Sequence, residues 1–344
     1  MKTVLITGGA GFIGSHFLHL LWNKYADYKI LVLDLLTYAG NTNNFPEAAR
    51  GMNNERFQFW FGDVCNVELV DTLVSQASIV IHFAAESHVT RSIYDSYTFF
   101  HTDVMGTHAV ANAVLKYRDR IERFIHISTS EVYGTAETAM MSEEHPLKPL
   151  SPYASAKCGA DRLVWSYYTT YDVPVVIIRP FNNYGGRQHL EKAIPRFITS
   201  LLLNEPITIH GDGTAARDYI YVEDNCSAID MVLHAPLEKV KGKVFNVSSE
   251  VHRTTLSIAQ DVVRLMNGRP DCISFVADRP GQVFRHTGDS RLIRETLGWK
   301  MDISWEEGLL RAIAWYQDNP KSWENQMWMR RIPITVADGS KELH

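Results

Sequence analysis

The sequence predicts an α/β protein in which a doubly wound parallel sheet is followed by a smaller C-terminal α/β domain. Three observations carry this reading. Short apolar runs alternate with helical stretches through the first half of the 344 residues. The runs are continuous in Val, Ile, Leu and Phe, so both of their faces are expected to be buried, as in parallel sheets. Near Arg179 the alternation gives way to segments punctuated by Pro and Gly.

Residues 4–7, 30–34, 57–61, 79–83, 124–128 and 175–179 read as strands. Apolar residues at helical spacing mark 12–25, 67–76, 97–117 and 152–171 as helices. The last two are longer than a covering helix requires. Their surplus side chains, Tyr167, Tyr168 and Tyr171 among them, are expected to pack against a second copy in a homodimer. Helices at 191–203, 255–267 and 305–319 form the capping half. The expected division is 1–180, with later segments returning to it, then 181–330 and a tail at 331–344; the chain beyond Pro320 is expected to pack through Trp323 and Trp328.

Composition narrows the function by exclusion. The chain is 45% hydrophobic and 21% charged, which is ordinary for a globular protein. Its net charge of −5 comes from 34 Lys and Arg against 39 Asp and Glu, without long runs of one sign. No basic field invites nucleic acid or an anionic membrane, so any bound anion must be met by local groups. The four cysteines form no C-x-x-C pair and read as reduced thiols, and the histidines show no ligand-like spacing, so no metal is expected. No apolar run approaches the ~18 residues of a membrane span, and the N-terminus enters a strand with no cleavage pattern. A soluble, cytoplasmic protein is expected.

Between the first strand and the first helix stand Gly8, Gly11 and Gly14, at spacing G-x-x-G-x-x-G. Gly8 permits a tight turn, Gly11 lets backbone N–H groups reach a pyrophosphate beside Phe12 and Ile13, and Gly14 lets helix and strand pack closely. Asp34 ends the second strand, 20 residues past Gly14, where a carboxylate meets ribose hydroxyls and repels a 2′-phosphate. This is the pattern of a Rossmann-type sheet that binds NAD. Asp63 and Val64 fall where an adenine edge would lie, and Ala84 and Ala85 are small enough to let a dinucleotide cross the sheet.

Tyr153 and Lys157 stand at i and i+4 near the start of a helix, so both point from one face. A lysine ammonium and a positive nicotinamide beside a phenol are expected to lower its pKa and make it a base toward a sugar hydroxyl. Thr129, Ser130 and Glu131 close the fifth strand, at the carboxyl edge where parallel sheets bind ligands. Thr129 can hydrogen-bond a substrate hydroxyl, and Glu131 brings a carboxylate to the same place. Arg217, Lys192 or Arg196, and Arg279 are candidate cations for a second diphosphate, and His88 is a candidate substrate contact.

These residues give the chain a resemblance to the extended short-chain dehydrogenase/reductases of the NAD-dependent epimerase/dehydratase family, most of all to the dTDP-glucose 4,6-dehydratases. The resemblance runs from residue 4 to about 316. It rests on Thr7–Ser15, Asp34–Asn41, Ala84–Val89, Glu131–Gly134, Tyr153 with Lys157, Asn182–Gly185, Glu191-Lys192, Arg217-Asp218, Asp278–Gly281 and Gly298-Trp299. It implies a nucleotide-diphosphate sugar held by the capping half, with Asn182 contributing to the diphosphate or sugar. It also implies oxidation at C4 with Tyr153 as base, removal of the C5 proton by Glu131, loss of water from C6, and return of the hydride to C6.

The chain departs from that pattern at three positions: Ser130 stands where those enzymes have an aspartate, Thr90 where they have aspartate, and Asp103 where they have asparagine. A serine hydroxyl is a far weaker acid than a carboxylic acid and can position a water or relay a proton, but not protonate a leaving group outright. The Ser-Thr-Ser-Glu-Val-Tyr-Gly form is similar to UDP-glucuronate decarboxylases and some UDP-N-acetylhexosamine 4,6-dehydratases. A 4-epimerase, a uronate decarboxylase and a catalytically silent NAD-sensing scaffold are therefore the alternatives to a 4,6-dehydratase.

Overall fold

The computed structural model describes residues 1–50, 54–276, 283–330, 333–335 and 341–343. In chain order the first strands are β1 (Lys2–Thr7), β2 (Tyr28–Asp34), β3 (Phe57–Phe61), β4 (Ile79–His82), β5 (Arg123–Ile127) and β6 (Val175–Pro180). They are followed by β7 (Asn182–Tyr184), β8 (Ile207–His210), β9 (Ala216–Tyr221), β10 (Val244–Val247), β11 (His252–Thr254) and β12 (Ile273–Val276). A seven-stranded parallel sheet runs in the order β10-β6-β5-β4-β1-β2-β3. Every residue of β4, β5 and β6 is buried, which is why these runs show no polar alternation. The order reverses at β1, between β2 and β4, and opens a crevice at the carboxyl ends of the strands.

Two helices that flank the sheet come from distant parts of the sequence. Phe12–Lys24 packs beside Val222–His234, where Lys24 Nζ and Tyr25 Oη meet Asp230 at 2.6 and 3.0 Å. The seventh strand, β10, also comes from beyond residue 180 and pairs with β6. The capping half holds a three-stranded sheet, β11-β9-β7, and the pair β12-β8, over an apolar cluster that includes Phe197, Ile258 and Tyr316. Beyond Pro320, Trp323 is buried and Trp328 is exposed.

The helix expected at 97–117 is not uniform. It resolves into Ser96–Phe99, a π-helical turn at Phe100–Gly106 and an α-helix at Thr107–Lys116. At the end of this turn the chain passes close to Val64, and a Cβ on Gly106 would lie 2.6 Å from that side chain. The turn carries Asp103 inward, where its Oδ1 accepts the Glu86 N–H at 2.8 Å. Tyr167, expected against a second copy, instead lies in this chain's own core, with its hydroxyl on Asn112. Tyr171 is exposed.

A buried polar chain ties the sheet to the helix Pro152–Tyr171. Arg179 on β6 grips Asp161 through two hydrogen bonds of 2.9 Å, donates to Tyr133 Oη at 2.8 Å, and Tyr133 donates to Asn246 Oδ1 at 2.8 Å on β10. Arg179→Met leaves Asp161 without its bidentate partner and is expected to cost about 3–5 kcal/mol of unfolding free energy. Urea denaturation measures this, and a variant as stable as the parent would overturn it.

Candidate active site

The crevice at the reversal of strand order is shaped by steric limits in the glycine loop. Gly8 has φ +72°, and a Cβ there would sit 2.5 Å from the Ala84 nitrogen at the end of β4. A Cβ on Gly14 would sit 2.3 Å from the Gly8 carbonyl oxygen. The helix begins after Gly11 with no side-chain cap and no acid in its first turn. Its first backbone N–H groups therefore point into the crevice, as a pyrophosphate requires. Asp34 Oδ2 accepts the Ala10 N–H and Oδ1 the Leu36 N–H, both at 2.9 Å. The carboxylate thus pins the loop while facing the same space, and burial raises its pKa.

One cavity of about 430 Å³ continues from this loop to the capping half. It is lined by Gly8, Gly11, Phe12, Ile13, Gly14, Asp34, Asp63, Val64, Ala84 and Ala85 at the cofactor end. Thr129, Ser130, Glu131, Tyr153 and Lys157 line its middle, and His88, Asn182, Lys192 and Arg217 its far side. Arg196 is not among the lining residues, and Arg279 lies outside the described residues. Among the described residues no cluster of His, Cys, Asp or Glu is placed to hold a metal, and no helix is long and apolar enough to cross a membrane.

The middle of the cavity is set by two local structures. Ser151 caps the helix Pro152–Tyr171 by accepting the Ala154 N–H at 3.1 Å, and this places Tyr153 and Lys157 in the first two turns. After β5, Thr129 Oγ1 accepts the Glu131 N–H at 3.2 Å and starts the tight turn Ser130–Tyr133. Lys157 Nζ donates to the Ile127 carbonyl at 2.8 Å. Burial pushes the Tyr153 phenol up, and Asp103 pushes it the same way, against a hydrogen bond with Thr129. Burial pulls the Lys157 ammonium down, against Asp103 and Asp161. Without the positive nicotinamide, burial therefore dominates at Tyr153, in the direction opposite to the lowering expected with the cofactor bound.

Three residues given no role by the sequence reading stand in or beside this site. Asp103 faces Lys157 from the π-helical turn, and its Oδ2 has no hydrogen-bond partner. Glu191, almost wholly buried, lies 3.5 Å from His88 and 3.3 Å from Lys192, and Lys192 also donates to the Ser87 carbonyl at 2.9 Å. His286 Nδ1 lies 3.8 Å from Glu131 Oε1, and Arg217 Nε lies 4.0 Å from that same oxygen. Glu191 sits in a quoted motif beside Lys192, a visible signal. His286 has no local pattern, since only folding brings it across 155 positions to Glu131.

Residues 5–312 match the family described as GDP-mannose 4,6 dehydratase. The low-salt glycan biosynthesis protein Agl12 of Haloferax volcanii is 42% identical over 91% of this chain and 98% of its own. A dTDP-glucose 4,6-dehydratase of Streptomyces niveus is 37% identical over 93% of this chain and 94% of its own. A crystal structure of the Streptomyces venezuelae dTDP-glucose 4,6-dehydratase with NAD bound superposes with a TM-score of 0.88 at 35% identity, over 94% of this chain and 100% of that one.

Gly14→Ala puts a methyl group where only 2.3 Å is free. The loop must shift, and NAD affinity is expected to fall about tenfold or more, the range of an overpacked contact. Titration calorimetry decides this, and an unchanged dissociation constant would contradict the role of the loop.

Proposed function

Because the chain belongs to the GDP-mannose 4,6 dehydratase family over residues 5–312, we propose a residue-level account of its reaction. It is an extended short-chain dehydrogenase/reductase and an NAD-dependent nucleotide-sugar 4,6-dehydratase, a hydro-lyase. NAD, when bound by the glycine loop and Asp34, supplies the acceptor that takes the C4 hydrogen with its electron pair and gives it back at C6. Tyr153 takes the C4 hydroxyl proton, and Thr129 hydrogen-bonds the same oxygen. Buried Lys157 opposes the charge that develops on the phenolate, which burial otherwise disfavours.

The 4-ketone acidifies C5–H, and Glu131 removes that proton. The C6 hydroxyl departs as water with the proton that Glu131 took from C5, which Ser130 can relay but cannot generate, because a serine hydroxyl is too weak an acid. Asn182, Lys192 and Arg217 line the side of the cavity that takes the sugar diphosphate. The observation that carries the dehydratase reading is Glu131 beside Thr129 and Tyr153 in one cavity, since a 4-epimerase needs no base at C5. We also propose a homodimer through the helices around 97–117 and 152–171, where Tyr97, Phe100, Met105 and Trp165 remain exposed.

Incubation with dTDP-, UDP-, GDP- and CDP-hexoses should give a product lighter by one water, detected by mass spectrometry. A product of unchanged mass, or one that has lost carbon dioxide, would replace this reading with an epimerase or a decarboxylase. Glu131→Gln should keep C4 oxidation and lose elimination by a factor of about 10² or more. For the dimer, Tyr97→Glu should shift the sedimentation coefficient from dimer to monomer; a parent that already sediments as a monomer refutes that assignment.

A further inference from the structure

His286 is fully buried, and its ring is anchored through one nitrogen. Nε2 lies 2.5 Å from the Gly134 carbonyl oxygen. A carbonyl only accepts, so Nε2 carries the hydrogen and Nδ1 of the neutral ring presents a lone pair. That Nδ1 has no hydrogen-bond partner and faces Glu131 Oε1 at 3.8 Å. Burial holds the imidazole below its ordinary range and Arg217 acts in the same direction, while Glu131 pulls it up; Gly134 and His145 are the remaining neighbours that bear on it.

A lone pair facing a carboxylate is unfavourable, and the same lone pair facing a carboxylic acid accepts a hydrogen bond. The pair therefore changes from mismatched to matched when Glu131 gains a proton. We propose that His286 is the positioning residue for the proton that Glu131 takes from C5, holding the protonated carboxyl group through Nδ1 until that proton is returned or released. In this step the C5–H bond breaks and its proton forms the Glu131 O–H bond. The electron pair stays on C5, is delocalised into the 4-ketone, and becomes the C5–C6 double bond as the C6–O bond breaks. The inference rests on Glu131 as the C5 base.

The backbone keeps this arrangement in register. Ala216 N–H donates to the Phe284 carbonyl at 2.9 Å, and His286 N–H donates to the Ala216 carbonyl at 3.1 Å. His286 and Arg217, the two basic side chains within 4.0 Å of Glu131 Oε1 among the described residues, thus come from adjoining paired segments. Catalytic hydrogen bonds are commonly long before substrate binds and tighten in the complex, and 3.8 Å is within reach of such a closure.

Two substitutions separate the ring nitrogens. His286→Gln can keep a donor toward Gly134 but has no acceptor at the Nδ1 position, whereas His286→Asn keeps an acceptor there and loses the Gly134 bond. With NAD-loaded enzyme and a turned-over nucleotide sugar, His286→Gln should lower kcat about tenfold, the worth of one hydrogen bond made only in the intermediate. KM and the rate of C4 oxidation should not change, reduced cofactor should accumulate, and His286→Asn should recover most of the loss. If Gln keeps full turnover and Asn does not, or if C4 oxidation falls as much as elimination, the ring is only a structural anchor and the inference fails. Should both variants misfold, magnetic resonance of isotope-labelled imidazole nitrogens in the parent enzyme decides: Nδ1 should move toward a hydrogen-bonded shift when substrate is added, and a static signal overturns the proposal. Retention of elimination by Glu131→Gln would instead remove the underlying base assignment.

Discussion

Parallel pairing is the constraint on which the rest of this structure depends. In a parallel sheet all carboxyl ends lie along one edge, and the connections must cross over and return. Here that edge receives the glycine loop after β1, Asp34 at the end of β2, Ala84 and Ala85 after β4, and Thr129 to Glu131 after β5. Even Lys157, on a helix, is anchored to this edge through the Ile127 carbonyl. The reversal of strand order at β1 leaves a gap along the edge, and groups as far apart in sequence as Gly8 and Arg217 line one cavity there.

What could be read in advance was whatever is encoded by short spacing. Gly8, Gly11 and Gly14 answer to contacts made within one strand-turn-helix unit, and Tyr153 with Lys157 to a single helical turn. The seventh strand was less accessible. Val244–Val247 is a four-residue, mostly apolar run like many others, and only pairing with β6, 67 residues earlier, makes it part of the sheet. The helix at 97–117 shows the same limit in reverse: its periodicity is sound, but its middle is a π-helical segment that buries Asp103, which no local pattern marks.

Electrostatics was legible in sign only where it is local. A lysine four residues from a tyrosine suggests a lowered phenol pKa, and the suggestion neglects that both groups are removed from water. Burial raises Tyr153 and lowers Lys157, so each is driven toward its neutral form. In the reaction proposed above, the positive charge of the oxidised cofactor acts on the phenol in the direction opposite to burial.

The acidic balance of the whole chain recurs within the cavity. Asp34, Asp63, Glu86, Glu131 and Glu191 line it, against Lys157, Lys192 and Arg217 among the described residues. A surface of that kind repels a bare anion, yet two diphosphates belong here. The conflict is resolved by separating the tasks. At the cofactor end, the anion meets uncapped backbone N–H groups that carry no competing side chain. At the sugar end, Lys192 is already balanced by Glu191 and bonded to Ser87, and Arg217 stands beside Glu131. The carboxylates are acceptors suited to hydroxyl groups, so a ligand that combines many hydroxyls with a diphosphate satisfies this lining, whereas one with phosphate alone does not. The net charge of −5 is therefore compatible with anion binding, because the groups that would meet an anion are local, as the sequence implied.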